Sequence, residues 1–503
     1  MTTPTLKLPE LPTPSITSRR TPPDEATLSR FDAVLMLQSG KTFQGTQLPY
    51  ASTLATLAER AGNQHLLTMT MPGKQAGLLV VAEIAKDADR FGVETACRQA
   101  ATKIIASGAT RIAVVVDATN DAYATLVNAA AVTLTMASFS MPRWTQKRTP
   151  KAKPIKLTVF EPKKTPLTAA IAGARGNCLA RWLGAAPPNL LDAKGYRDVA
   201  AQLAKKHQWK YQFHPFSKLK RMGAGAFVAV AQGNENNDAG IVQLTHKSGK
   251  KGSKHIALVG KGIIFDTGGT NLKPHGGMLN MHIDMGGSAV ALATLLTLAE
   301  AGAPLDIDVW LAITENRTGP EAFKPQDVVT SLSGKTIQTI HTDAEGRMVL
   351  ADTLTLASRR KPSLIMDFAT LTGACVTAVT THYSGVFSNR ASLHPTLKRA
   401  GVESGERVWP FPTGGDFLDM LKGETADLLQ CPVAGAGDHI LAATFLRQFV
   451  PETIPWVHVD LSSCENKGGL GAAGTTITGF GVRYAAHLLT EHATTLIKAK
   501  RDR

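Results

Sequence analysis

Residues 341–350 read His-Thr-Asp-Ala-Glu-Gly-Arg-Met-Val-Leu, with Asp343, Glu345 and Arg347 at alternate positions ahead of an apolar pattern of helical period. In an extended segment such spacing turns the three side chains to one face, so two anions and a cation would converge on a small volume. Taken alone, the stretch also fits a polar turn that caps the following helix. A second stretch tips the balance. Residues 256–288 run from an apolar strand into Gly-Lys-Gly, a further apolar run and Asp-Thr-Gly-Gly, and carry Lys261, Asp266, Lys273 and Asp284. Glycines 260, 262, 268 and 269 allow sharp turns and close backbone approach to a ligand.

Four carboxylates, Asp266, Asp284, Asp343 and Glu345, would repel one another if gathered, and would take up protons unless cations lay between them. Divalent metals relieve that repulsion. Oxygen ligation suits Mn²⁺, Mg²⁺ or Zn²⁺, with Co²⁺ as a substitute, and the chain has neither HExxH nor CxxC. The donor set points to a pair of ions. Two SGKT runs, at 39–42 and 333–336, lack the glycine that a phosphate-binding loop needs five positions before its second glycine.

The stretches VGKGIIFDTGG, LKPHGGMLNMHIDMGG and HTDAEGRMVLADTL resemble the signatures of the leucyl aminopeptidase family, the M17 dimetal metallopeptidases. The resemblance continues through ITENRTGPEAFKPQDVVTSLSGKT, DFATLTGACV, WVHVDL and TGFGVR and covers roughly residues 166–485. It implies an aminopeptidase that removes N-terminal amino acids from peptides, with a leucine-like preference, through a hydroxide bridging two metals. It implies further that Lys261, Asp266, Asp284 and Glu345 hold one ion and Asp266, Asp343 and Glu345 the other, Asp266 and Glu345 bridging. Lys261 would have to ligate as a neutral amine. Lys273 would stabilise the oxyanion, and Arg347 would hold a bicarbonate acting as general base. Met281, Thr370 and Gly373 match the family's side-chain pocket. Ser462 and Glu465 stand where relatives are smaller and more apolar, which would shift preference toward polar or basic residues. Of His275, His282 and His341, none is expected to ligate. His341 replaces the usual asparagine and is expected to hydrogen-bond behind the ligands. A dimetal dipeptidase and a non-catalytic, nucleic-acid-binding member of the family are the alternatives.

The 503 residues are 43% hydrophobic, enough for two or three domains and a large core. Residues 1–27, rich in Pro, Thr and Ser, read as a flexible extension without a secretory signal. Residues 28–162 read as a smaller α/β domain and 163–503 as the peptidase domain. The fold class is α/β: a mixed, largely parallel sheet flanked by helices in the catalytic domain, preceded by the smaller N-terminal α/β domain. Extended runs are expected at 33–37, 66–71, 77–84, 111–117 and 155–160. Others fall at 227–232, 241–244, 256–265, 307–314, 364–370 and 457–461, with helices at 286–302 and 344–360. Cysteines 97, 178, 375, 431 and 464 show no metal spacing and suit a reduced, cytoplasmic setting. No membrane span is read from the sequence. The net charge of +15 concentrates at 143–164, in Arg143, Lys147, Arg148, Lys151, Lys153, Lys156, Lys163 and Lys164. A solvated linker, a secondary nucleic-acid contact or docking of an acidic partner would each account for it. By resemblance the chain assembles as a homohexamer, with the N-terminal domain helping.

Overall fold

The structure is a computed structural model and describes residues 6–39, 48–62, 65–117, 120–145, 153–236 and 238–501. The first SGKT lies almost wholly outside them, as do Lys147, Arg148 and Lys151 of the basic stretch. Among the described residues three sheets form. The N-terminal sheet comprises β1 (Ser15–Arg19), β2 (Ala33–Ser39), β3 (Leu66–Thr70), β4 (Leu78–Ile84), β5 (Arg111–Asp117) and β6 (Lys156–Phe160), in the order β1-β6-β5-β2-β4-β3. All neighbours are parallel except β3 with β4.

The eight-stranded sheet contains β7 (Lys210–Pro215), β8 (Gly240–His246), β9 (Lys254–Asp266) and β10 (Leu305–Asn316). A small sheet of β11 (Val328–Thr330), β12 (Thr336–Gln338) and β16 (Leu428–Leu429) lies outside it. Its remaining strands are β13 (Leu364–Ala369), β14 (Ser384–Ser388), β15 (Val408–Pro410) and β17 (Trp456–Asp460), and the order is β15-β14-β17-β13-β9-β10-β8-β7. The central four, β17-β13-β9-β10, are parallel. They are apolar on both faces because helices cover both: Gly286–Glu300 on one side and Glu345–Arg359 on the other. The mixed, largely parallel α/β architecture is therefore as the sequence implies. Residues 275–300 are apolar and long enough to cross a membrane, but 83% of an apolar 18-residue stretch within them is buried inside the protein, as a core helix would be.

Two expectations change. Ser15–Arg19, assigned to a flexible extension, pairs in parallel register with β6, and Leu6, Leu8 and Leu11 pack on the core. The prolines around that segment hide a short edge strand, a position where proline and few apolar residues are tolerated. Residues 227–232, read as a strand, lie mostly in the helix Gly225–Ala231. A short apolar run does not distinguish the two by periodicity, and this one is alanine-rich and docks on the 345–359 helix, where Phe227 N donates to Asp352 Oδ2 at 2.8 Å.

Candidate active site

The four central strands end together, and their carboxyl ends carry the polar residues. Asp266 closes β9, Asn316 closes β10, Asp460 closes β17, and Thr370 follows β13. Ligands bind at this edge of parallel sheets. Lys261 sits lower, in the middle of β9, on the face turned to the 345–359 helix. Its neighbours Gly260 and Gly262 face the other way, where a Cβ on Gly260 would lie 2.4 Å from Ser288 Cα. These two glycines therefore admit the 286–300 helix and form no turn. The turn belongs to Gly268 and Gly269, with φ of +86° and +65°, which fold the chain back after Asp266.

Residues 341–344 form a turn and Glu345 opens the helix, so the alternate-face reading of an extended segment does not hold. Asp343 and Glu345 nonetheless converge on Asp266: one carboxylate oxygen from each of the three lies within 4.8 Å of the others. Arg347, one helical half-turn on, is carried away from them. Its Nη2 donates to both oxygens of Asp438, at 2.9 and 2.7 Å, and Nη1 to Gln430 O at 3.2 Å. The fork expected to hold a dissolved oxyanion is thus engaged by a carboxylate 91 residues away, which local spacing could not reveal.

Lys261 Nζ lies 2.8 Å from Asp284 Oδ1 and 2.9 Å from Glu345 Oε1, and donates to Thr370 O at 2.9 Å. Lys273 Nζ lies 2.9 Å from Asp266 Oδ2 and 2.5 Å from Asp343 Oδ1. All seven sequence-derived charged residues thus face one cleft or its floor. Burial opposes the charged form of Lys261, but Asp284, Glu345 and Asp266 outweigh it and raise its pKa above the ordinary lysine value. Lys273 is raised for the same reason by Asp266 and Asp343. Burial and mutual repulsion lift Asp284, Asp343 and Glu345 above the usual carboxylate range, with the lysines opposing.

A divalent ion fits this donor set. Asp284 Oδ2 and Glu345 Oε2 are buried without a hydrogen-bond donor, so each offers an oxygen for a cation. A dication beside the same carboxylates would also replace their pull on the Lys261 proton with repulsion, freeing the amine to ligate.

Further contacts hold the carboxylates in place, from Asn316 and Gln430, which the sequence does not single out, and from Thr370 and His341, which it does. Asn316 Nδ2 donates to Asp266 Oδ1 at 2.8 Å and to Thr342 O at 3.0 Å, aimed by a bulge after Thr314. Thr370 Oγ1 donates to Asp284 Oδ1 at 2.7 Å. Gln430 Oε1 accepts from Ile340 N and His341 N, and its amide donates to Ala344 O. His341 Nδ1 accepts from Asp343 N at 3.2 Å, adjacent to the carboxylates, while His275 is exposed and His282 lies outside the cleft lining. The cleft, about 750 Å³, is also lined by Met281, Thr370 and Gly373, and by Ser462 and Glu465.

The catalytic domain of the cytosol aminopeptidase family matches residues 178–486. A probable cytosol aminopeptidase of Polaromonas sp. is 36% identical over 454 residues, 88% of each chain. One from Stutzerimonas stutzeri is 41% identical over 308 residues, 61% of this chain and 62% of that protein's length. Among solved structures, a tomato leucine aminopeptidase mutant superposes with a TM-score of 0.85 at 25% identity, covering 96% of this chain and 97% of that one. The bottromycin maturation enzyme BotP in complex with Mn gives 0.78 at 28% identity, covering 91% and 99%. The chain belongs to the cytosol aminopeptidase family.

Proposed function

We propose that the protein is a metal-dependent aminopeptidase that removes N-terminal residues from peptides, with two divalent ions held by Lys261, Asp266, Asp284, Asp343 and Glu345. The observation that supports this most is the convergence of buried carboxylates, some with orphaned oxygens, at the carboxyl edge of the sheet. When bound, the ions, Mn²⁺ or Zn²⁺ with Co²⁺ or Mg²⁺ as substitutes, supply Lewis acidity and a water nucleophile at neutral pH. By the family resemblance, Asp266 and Glu345 would each serve both ions. Lys273, whose charged form Asp266 and Asp343 favour against burial, would offer its ammonium to the oxyanion that develops when the peptide carbonyl is attacked. Arg347, buried, would orient the anion beside it. A free α-amine is a donor such a centre accepts, whereas an internal peptide nitrogen is not, which favours exopeptidase cleavage.

Met281 supplies an apolar wall suited to a leucine-like side chain, with Thr370 and Gly373 beside it, while Ser462 and Glu465 on the same cleft extend preference toward basic ones. The five cysteines are unpaired, which fits a cytosolic setting. The family resemblance supports assembly of six copies, which light scattering would measure.

The test couples metal analysis to cleavage of amino-acid anilides, free and N-acetylated. Chelator treatment should abolish cleavage of the free anilides, Mn²⁺ or Zn²⁺ should restore it, and blocked anilides should be refused. Chelator-resistant cleavage, or failure of the full chain to bind a divalent ion, would sink the reading.

A further inference from the structure

We propose that Asp438 is the general base of this protein: its carboxylate, and not an anion drawn from solution, sits against Arg347 and takes the proton of the attacking water. This rests on the aminopeptidase reading and adds a residue to it.

Arg347 is a buried guanidinium in the first turn of its helix, 1% exposed, and therefore requires an anion. The chain supplies one. Asp438 opens the helix Asp438–Arg447, where Gly437 turns the backbone at φ +82° and the helix N-terminus further favours a negative charge. Both carboxylate oxygens accept from one guanidinium nitrogen, which leaves their other lone pairs free. The side chain remains 35% exposed. Its exposed part faces the cleft that also contains Lys261, Asp266, Lys273 and Asp343.

Apart from Glu465, the remaining carboxylates of the cleft are engaged otherwise. Asp266, Asp284 and Asp343 face lysines. Asp460, 1% exposed, accepts from Leu371 N, Thr372 N and Thr372 Oγ1. Asp438 alone among these pairs a fixed orientation with access to the cleft. In the step, a water O–H bond breaks and its proton passes to an Asp438 oxygen as the O–C bond forms at the peptide carbonyl. The C–N bond then breaks, and the same proton goes to the leaving nitrogen, so one water is consumed and Asp438 is regenerated.

The test compares wild type, Asp438→Asn and Asp438→Ala, each a full-length chain loaded with Mn²⁺, in carbonate-free buffer and after addition of bicarbonate. Wild-type kcat should not respond to bicarbonate. Asp438→Asn should retain its bound metal and its KM while kcat falls by about 10²- to 10⁴-fold, the usual worth of a general base. Asp438→Ala should regain at least about tenfold when bicarbonate restores an anion. ¹³C-bicarbonate observed by NMR should broaden saturably with Asp438→Ala and not with wild type, a readout that needs no turnover. Wild type binding bicarbonate as the Ala variant does, or Asp438→Asn keeping full kcat, overturns the proposal while leaving the peptidase reading intact. A metal-loaded wild type that cleaves no free anilide overturns the peptidase reading, and the base role with it.

Discussion

At the scale of single residues, the donors behind the clustered carboxylates matter as much as the carboxylates. Asn316 reaches Asp266 and the Thr342 carbonyl at once, so it ties the end of β9 to the 341–344 turn. Asn316→Ala should lower affinity for Mn²⁺ or Zn²⁺ by about 10- to 100-fold with the fold intact, as read by competition with a chelating dye and by circular dichroism. Away from the site, Asp308 shows how a buried carboxylate becomes a pH-dependent brace. Burial alone would raise its pKa, but His255, Thr245 and Arg360, at 3.0, 2.5 and 3.3 Å, bring it down to about 2. A depressed folded-state pKa stabilises above the ordinary value of 3.8 and loses that contribution as pH falls through about 2. Asp308→Asn should therefore be less stable than wild type at pH 6, by about 1–2 kcal/mol after allowance for screening. The gap should narrow as pH falls from about 4 toward 2 in urea unfolding.

At the scale of elements, the site depends on how closely two helices approach one strand. Gly260 and Gly287 let the 286–300 helix lie against β9 and β13, where a Cβ on Gly287 would come within 2.1 Å of Phe368 O. On the opposite face, Gly346 leaves the room that the Lys261 side chain fills: a Cβ there would lie 2.6 Å from Lys261 Cε and 2.8 Å from Nζ. Alanine favours a helix more than glycine by about 1 kcal/mol, so Gly346→Ala should still fold, with that gain offsetting part of the cost of disturbing the buried Lys261 pairs. It should nonetheless push Lys261 out of its pocket, reducing both metal stoichiometry and anilide cleavage. Unchanged metal content in that variant would argue against Lys261 as a ligand. The motif Gly-Lys-Gly is thus a packing device on one face and a chemical one on the other.

At the scale of the molecule, the N-terminal sheet is fastened to the larger one through the helix Arg90–Ala106. Glu94, fully buried, accepts from Arg90 at 2.7 Å and from Arg483. Arg98 donates to the carbonyls of Gly471 and Gly468, both at 2.8 Å, and Arg407 stacks 3.6 Å over the Phe91 ring. Glu94→Ala would leave two arginines facing a buried gap, a loss of about 3–5 kcal/mol. The expected outcome is an earlier thermal transition and faster proteolytic release of the N-terminal region, with cleavage by the folded remainder retained. A melting curve that superposes on the wild type's would show that the junction is held by apolar packing instead.

The alternating apolar runs announced an α/β chain, because buried parallel strands need continuous hydrophobic stretches and their crossovers need helices. The same sequence exposed Lys261, Asp266, Lys273, Asp284, Asp343, Glu345 and Arg347, since clustered charge beside glycine-rich strand ends has few other uses. What the linear order did not contain was the company these residues keep. The β1 edge strand, the helical 225–231 segment, the bulge that aims Asn316 and the 91-residue reach from Arg347 to Asp438 all depend on which neighbour arrives across the fold. Periodicity registers which face of an element is apolar, whereas the partner of a buried charge is chosen only when distant strands and helices pack.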